Sequence, residues 1–551
     1  MPRRHVILAL GLLAVTLVAV AFACRLWQRQ QLTAAALAGV APSPDVSRWP
    51  AEFARRLQAD ESAIRAGRQP TEALARLATL YFANGFATEA GRALATLRQL
   101  DPQDARWPYL VADLKLRAGD NAAAEVALRE VTALAPGYAP AWLKLGDLLQ
   151  ERSAFAEAER CYTQAAAATP GEVRAAFALI SFEAFHGKRG DPRQELLQLV
   201  AAHPGIKPLH DLLAQMNEAA GDAAGAATQR RLAAATPRYL PLDDPWIDEL
   251  YMDCFDPNRL SLLSGKMERE GRYEAAVARL NRAIALAPAE PALRNSLAQV
   301  RIVANQPEEA VTVLRQAVVD CPDDPALRER LAMLLRTGKR HDEALAVARA
   351  AVARWPQNAA MHTALGQALR EAGQFEPALA TLRTALELDP TQAEAYYATG
   401  YCLFATKHRA EAKVALGKAL EIRPDYAEAL QLRAALAIEE GDVAAAEDPI
   451  NRLMALRGGA DDTRLLYAAL HLIKGNLARD AGQPDEAARL YRAGLTVFPD
   501  FPHLLREAGL LARQQGHADE ARRYFQQGIT AAEAQGNAAQ AAEFRQLLAQ
   551  P

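Results

Sequence analysis

Two patterns of apolar residues divide the chain. From Val6 to Ala23 the apolar run is continuous, interrupted only by Gly11 and Thr16. Beyond it, apolar residues fall in stripes at near-helical spacing, as Phe53, Leu57 and Ile64 do ahead of Gly67. Stripes of this kind predict helices that bury one face. Strand signals are absent throughout, so the predicted class is all-α.

A helix over Val6–Ala23 would rise about 27 Å, close to the roughly 30 Å of a bilayer's hydrocarbon. Arg3, Arg4 and His5 precede it, Arg25 and Arg29 follow it, and Leu26 and Trp27 could extend it into the interface. The expectation is a signal-anchor transmembrane helix over residues 1–24. It makes the membrane a partner and gives a single-pass cell-membrane protein. The very short leading tail places the remainder outside the cytoplasm. Two other readings stay open: cleavage after Ala21-Phe22-Ala23 to give a secreted protein, or a lipoprotein after cleavage before Cys24. Residues 25–70 read as a helical extension followed by a linker with Pro42, Pro44 and Pro50.

The prolines carry the next signal. Pro102, Pro136, Pro170 and Pro204 are evenly spaced, and so are Pro288, Pro322, Pro356, Pro390 and Pro424. The period in both ladders is 34 residues, the size of a helical-hairpin repeat. Within residues 139–172, Trp142, Leu145 and Gly146 are followed by Ala158, Tyr162, Ala165 and Pro170. Residues 359–392 repeat the order with Leu365, Gly366, Phe375, Ala378, Leu382, Ala385 and Pro390.

This pattern resembles the tetratricopeptide repeat (TPR). The resemblance implies a helix–turn–helix solenoid, or superhelix, behind the N-terminal transmembrane helix. Arrays are expected over 71–240 and 257–460, with C-terminal units over 461–535 and a capping helix over 536–551. The fit is weak over 173–240, where the loop Gly187–Asp191 looks enlarged, and Pro449 is expected to kink or shorten its helix. Residues 241–256 form a non-repeat insertion, rich in Asp together with Trp246, Tyr251 and Phe255. Either its aromatics plug the joint between two sub-arrays, or its carboxylates build a metal or partner site.

Composition narrows the function. Lys+Arg total 63 against 66 Asp+Glu, a net charge of -3, which speaks against a nucleic-acid partner. The five cysteines are too dispersed for a zinc or redox motif. No hydrolase, P-loop or dinucleotide signature occurs, so no catalytic residue, metal site or cofactor is implied, and the chain is read as a non-enzyme.

In the family, the first helix of each unit lines a concave groove. Carrying those positions onto this chain gives a candidate peptide-binding set: Asn295, Gln299, Arg336, Gln367, Arg370, Tyr397, Tyr401 and Phe404. Rings supply anchoring area, guanidiniums suit carboxylates, and amides suit a peptide backbone. The expected function is a membrane-tethered, non-catalytic scaffold that binds a protein or peptide on its concave surface. The alternative is an accessory subunit of an envelope biosynthesis, export or maturation complex whose catalytic part is on another chain.

Overall fold

Each phased proline stands just beyond a helix that it cannot extend. The helices Asn121–Leu134, His341–Arg354 and Phe375–Leu388 stop two residues before Pro136, Pro356 and Pro390. The residue between is extended, as pre-proline sterics require; Ala135 has φ -131° and ψ 71°. At Pro136, Pro204, Pro288 and Pro356 the proline's own carbonyl is then recovered from the next helix. Trp142 Nε1 donates to Pro136 O at 2.8 Å, His362 Nε2 to Pro356 O at 2.9 Å, and His210 Nε2 to Pro204 O at 2.9 Å. Arg294 makes the same bond to Pro288 O. One side chain in the first turn thus ties a unit to its predecessor.

The computed structural model describes residues 2–186, 191–236, 239–240 and 243–550, with side chains from Leu17 onward apart from residues 18 and 19. Among the described residues it is all-α. Helices pair into thirteen hairpins, from Pro70–Ala83 with Ala87–Leu100 to Pro502–Gln514 with Ala518–Ala534, followed by Ala538–Ala549. Two compact units divide the chain, Met1–Pro322 and Asp323–Pro551. The segment after Asp243 lies wholly within the first unit. Most of the loop Gly187–Asp191 lies outside the described residues.

Close helix crossing inside several hairpins depends on glycine. A Cβ on Gly146 would lie 2.7 Å from the Tyr162 ring, and one on Gly366 would lie 2.5 Å from Leu382. Gly475 and Gly509 meet Tyr491 and Phe525 in the same way. The large partner therefore comes from the second helix of the same hairpin and fills the space that glycine leaves. Tyr162, Leu382, Tyr491 and Phe525 are all buried.

Irregular repeats are absorbed without breaking the stack. The helix Val443–Arg457 runs through Pro449 and is not shortened. The helix Asp461–Asp480 takes up the extra residues at 461–467 as added turns on its N-terminal end, with Asp461 and Asp462 in its first turn, where acidic charge suits the helix dipole.

The N-terminus departs from expectation. Among the described residues no helix is long and apolar enough to cross a membrane. The expected single-pass placement, with its processed alternatives and the membrane as partner, is corrected on that ground. The apolar side chains of the run lie mostly outside those described. The helix is continuous over Pro2–Gly39, with Cys24 exposed within it. It becomes polar at Arg25, Gln28, Arg29 and Gln30, and its far end is built into the first hairpin. Ala36 is fully buried, Arg29 Nε donates to Gly67 O at 2.7 Å, and a Cβ on Gly39 would lie 2.8 Å from Thr96.

The turn between paired helices needs a positive φ. Gly373 supplies it at +73°, but Lys407 occupies the equivalent position at 67°. A left-handed lysine costs about 1–2 kcal/mol, and glycine's entropy returns part of any gain. Lys407→Gly is expected to stabilise its hairpin by about 0.5–1 kcal/mol, read by urea melting with hydrogen exchange. Gly366→Leu is expected to cost at least about 1–3 kcal/mol by overpacking, with loss of protection centred on helices Ala359–Glu371 and Phe375–Leu388. Uniform loss across the chain would contradict the nearest-neighbour coupling of a repeat stack.

Candidate binding faces

In the second unit the candidate residues lie on the first helices of three successive hairpins, Pro325–Thr337, Ala359–Glu371 and Ala393–Ala405. Their centre is a carboxylate that sequence reasoning missed. Arg336 Nη2 and Nε donate to the Glu371 carboxylate at 3.0 and 3.1 Å, and Arg370 Nη2 donates to it at 2.9 Å. Arg336 also hydrogen-bonds Gln367 Oε1. Burial would raise the Glu371 carboxyl, but hydrogen bonds from Arg336 and then Arg370 hold it below its ordinary value.

The aromatic residues continue from there. The Arg370 guanidinium lies 4.9 Å from the Tyr401 ring centre and 5.4 Å from that of Tyr397. Tyr397 meets Tyr426 at 5.1 Å, and Arg423 caps Tyr426 at 3.6 Å while donating to Glu394 at 2.6 Å. Burial raises the Tyr397 hydroxyl and pushes that of Tyr426 up to about 12, so both stay protonated donors. Phe404 is half-buried against the apolar cluster that contains Leu430 and Leu436. Tyr401 remains 38% exposed and Met333 45% exposed. The arginines therefore act as fixed posts, with one carboxylate between two guanidiniums, and the accessible ring is Tyr401.

Asn295 and Gln299 belong to the first unit, on the helix Pro291–Val303, and are described apart from the other six. Asn295 Oδ1 is buried and makes no hydrogen bond.

The corresponding face of the first array is occupied by the chain itself. The Asp244 carboxylate accepts from Tyr109 Oη at 2.5 Å, Tyr138 Oη at 2.6 Å and Lys144 Nζ at 3.2 Å. Burial, reinforced by the Asp244 charge, raises both tyrosine hydroxyls well above their ordinary range. Trp246 stacks on Tyr138 at 3.6 Å and meets Tyr109 edge-on at 5.4 Å. Further along, Asn84 Nδ2 donates to Asp253 O at 3.0 Å and its Oδ1 accepts from Phe255 N at 2.6 Å. Phe255 enters the core beside Phe53, and Tyr251 and Cys254 pack with Leu260 and Leu293. Among the described residues no cluster of three or more His, Cys, Asp or Glu could hold a metal.

A separate open cleft of about 1040 Å³ is lined by Arg129, Trp142, Leu149 and Cys161. Burial pushes the Cys161 thiol up to about 11, so it is protonated at neutral pH and is no nucleophile.

One signal for the missed residues was in the sequence. Tyr138 and Tyr426 both stand at the last position of a repeat, where the side chain reaches the face formed by the first helices. Glu371, by contrast, looks like an ordinary surface glutamate until Arg336 of the preceding unit arrives.

Family models described as "TPR repeat" and "Tetratricopeptide repeat" match residues 366–406 and residues 115–181, 268–325, 297–359, 393–426 and 474–538, respectively. The chain is built of tetratricopeptide repeats. No curated protein matches it. Among solved structures, PilF of Pseudomonas aeruginosa is 19% identical, covering 38% of this chain and 96% of its own, with a TM-score of 0.32. Yeast Tom70 is 13% identical over 75% of this chain and 96% of its own, with a TM-score of 0.34. The APC/C hetero-tetramer Cut9–Hcn1 is 13% identical over 91% of this chain and 94% of that one, also with a TM-score of 0.34. These likenesses concern the repeat fold and carry nothing about partner or activity.

The Glu371 pairing has a pH consequence. A carboxyl held below its unfolded value contributes stability above the ordinary glutamate range, and the contribution is lost as pH falls through the lowered value. Glu371→Gln would leave two largely buried guanidiniums without a counter-charge, at an expected cost of about 1–3 kcal/mol at pH 7. Chemical melts at pH 7 and pH 3 should show the gap between wild type and variant narrowing in acid. An unchanged gap would mean that Glu371 contributes no charge-dependent stability.

Proposed function

We propose that this chain is a non-catalytic scaffold that binds an extended peptide segment of a partner protein on the first-helix face of its second unit. Tetratricopeptide repeats generally act as protein-interaction scaffolds, and this places the reading in that class. The observation that carries it is the half-exposed Tyr401 ring, held against Arg370 within a row of immobilised polar groups.

The contacts on that face suit recognition without prior ordering. Arg336, Arg370 and Gln367 are already fixed by Glu371 and by one another, so little side-chain entropy is lost when a ligand arrives. Tyr401 and Met333 supply adaptable apolar area. Gln367 can serve a peptide backbone. With its guanidiniums paired to Glu371, the face selects for an aromatic or aliphatic side chain beside a polar backbone rather than for an acidic terminus.

The test uses the full chain as bait against its source lysate, with a photo-reactive residue introduced at Tyr401. The partner crosslinked there is then titrated against the wild type and against Tyr401→Ala plus Arg370→Glu. Removing an aromatic anchor and reversing a charge at one site is expected to weaken binding at least about 100-fold. A double variant that stays folded and keeps its affinity would show that the partner binds elsewhere.

A further inference from the structure

The segment that follows Asp243 lies outside the repeat pattern, yet the groups that hold it come from repeated positions. Tyr109 and Lys144 are on the first helices Arg106–Arg117 and Ala139–Glu151, and Tyr138 closes the unit between them. Together they make a complete carboxylate site. Two hydroxyl donors and an ammonium meet Asp244, which is 7% exposed. Beside it is an aromatic slot, with Tyr138 parallel to Trp246 at 10° and Tyr109 edge-on at 77°. An acidic residue two places before a tryptophan fits both at once.

The two halves of the segment differ. Tyr251, Cys254 and Phe255 are buried and root the segment in the core. The part before them is a six-residue helix, Pro245–Leu250, with no buried residue. So short a helix has little stability of its own; it is held through Asp244 and Trp246, through Asp248, which pairs with Arg272 and Arg279, and through Ile247 and Leu250, which pack partly buried against the core. Beside it a cleft of about 450 Å³ stays open, lined by residues including Arg106, Trp107, Trp246 and Leu250.

We propose that this face of the first array is a recognition site for acidic–aromatic peptides of the form Asp-Pro-Trp. Residues 244–250 are its tethered intramolecular occupant, and an outside peptide of the same chemistry enters by displacing them. The root at 251–256 keeps the occupant at high local concentration. Tethering of this kind is worth roughly 10²–10⁴ in apparent affinity, so the site is closed to weak ligands and open to a strong or multivalent one. This is independent of the face proposed in the second unit, because no residue is shared.

The probe is a fluorescent peptide with the sequence of residues 243–250, titrated by anisotropy against the full chain. Wild type is expected to bind it weakly. Asp244→Ala plus Trp246→Ala, which removes the side chains that fill the carboxylate site and the aromatic slot, is expected to bind at least about 100-fold tighter. Adding Lys144→Ala to that background should lose about tenfold or more, and a scrambled peptide should not bind. A folded double variant that binds no better than wild type overturns the proposal. Should the double variant fail to fold, hydrogen exchange on the wild type decides. Amides of 246–250 are expected to exchange faster than the helices Arg106–Arg117 and Ala139–Glu151, and equally slow exchange would show a permanent plug.

Discussion

No hairpin in this protein can cover its own apolar face, and every other feature follows from that. In hairpins such as those of Gly146 and Gly366, two helices come close enough to share a core because one of them is reduced to glycine. The remaining apolar surface has to be covered by the next hairpin. Stability is therefore shared between neighbours. The side chains that reach back to Pro136, Pro204, Pro288 and Pro356 enforce the spacing by satisfying carbonyls that would otherwise be left without a donor.

Stacking also brings the first helices side by side and creates charge arrangements that no single repeat contains. Glu371 takes hydrogen bonds from its neighbour Arg370 and from Arg336 of the unit before. The result is a stiff polar row with an accessible ring at Tyr401. The same construction in the first unit gives the opposite outcome. There Tyr109, Tyr138 and Lys144 close on Asp244, and the face is filled by the protein's own chain. One repeat scaffold thus carries an open face in one unit and an occupied face in the other.

Much of this was legible along the chain. The prolines gave the period, and Gly146 and Gly366 stood out within it; that each glycine faces a large residue of its own hairpin, Tyr162 and Leu382, came from the structure. Arg370, Tyr397 and Tyr401 were identified as neighbours because repeat position implies proximity. Glu371 was not, since its role depends on a side chain in another unit. Docking of 244–256 was also hidden: its aromatics signalled a plug, but nothing local pointed to Tyr109 or Tyr138. The N-terminal expectation failed for a related reason. A helical extension past residue 24 was expected, but not that Arg29 and Ala36 would build it into the first hairpin.

The sequence by itself determined the repeat, the helix boundaries set by proline, the small residues at each crossing and the all-α class. These depend on backbone sterics and on residues within one period of one another. Only the tertiary structure decided which charges neutralise each other, which face stays open, and that a non-repeat segment lies in the first array's face. Those outcomes depend on contacts between residues far apart in the chain, 135 positions for Tyr109 and Asp244 and 171 for Asn84 and Phe255. Local periodicity carries no information at that range, because the stack, and not the sequence interval, sets what meets.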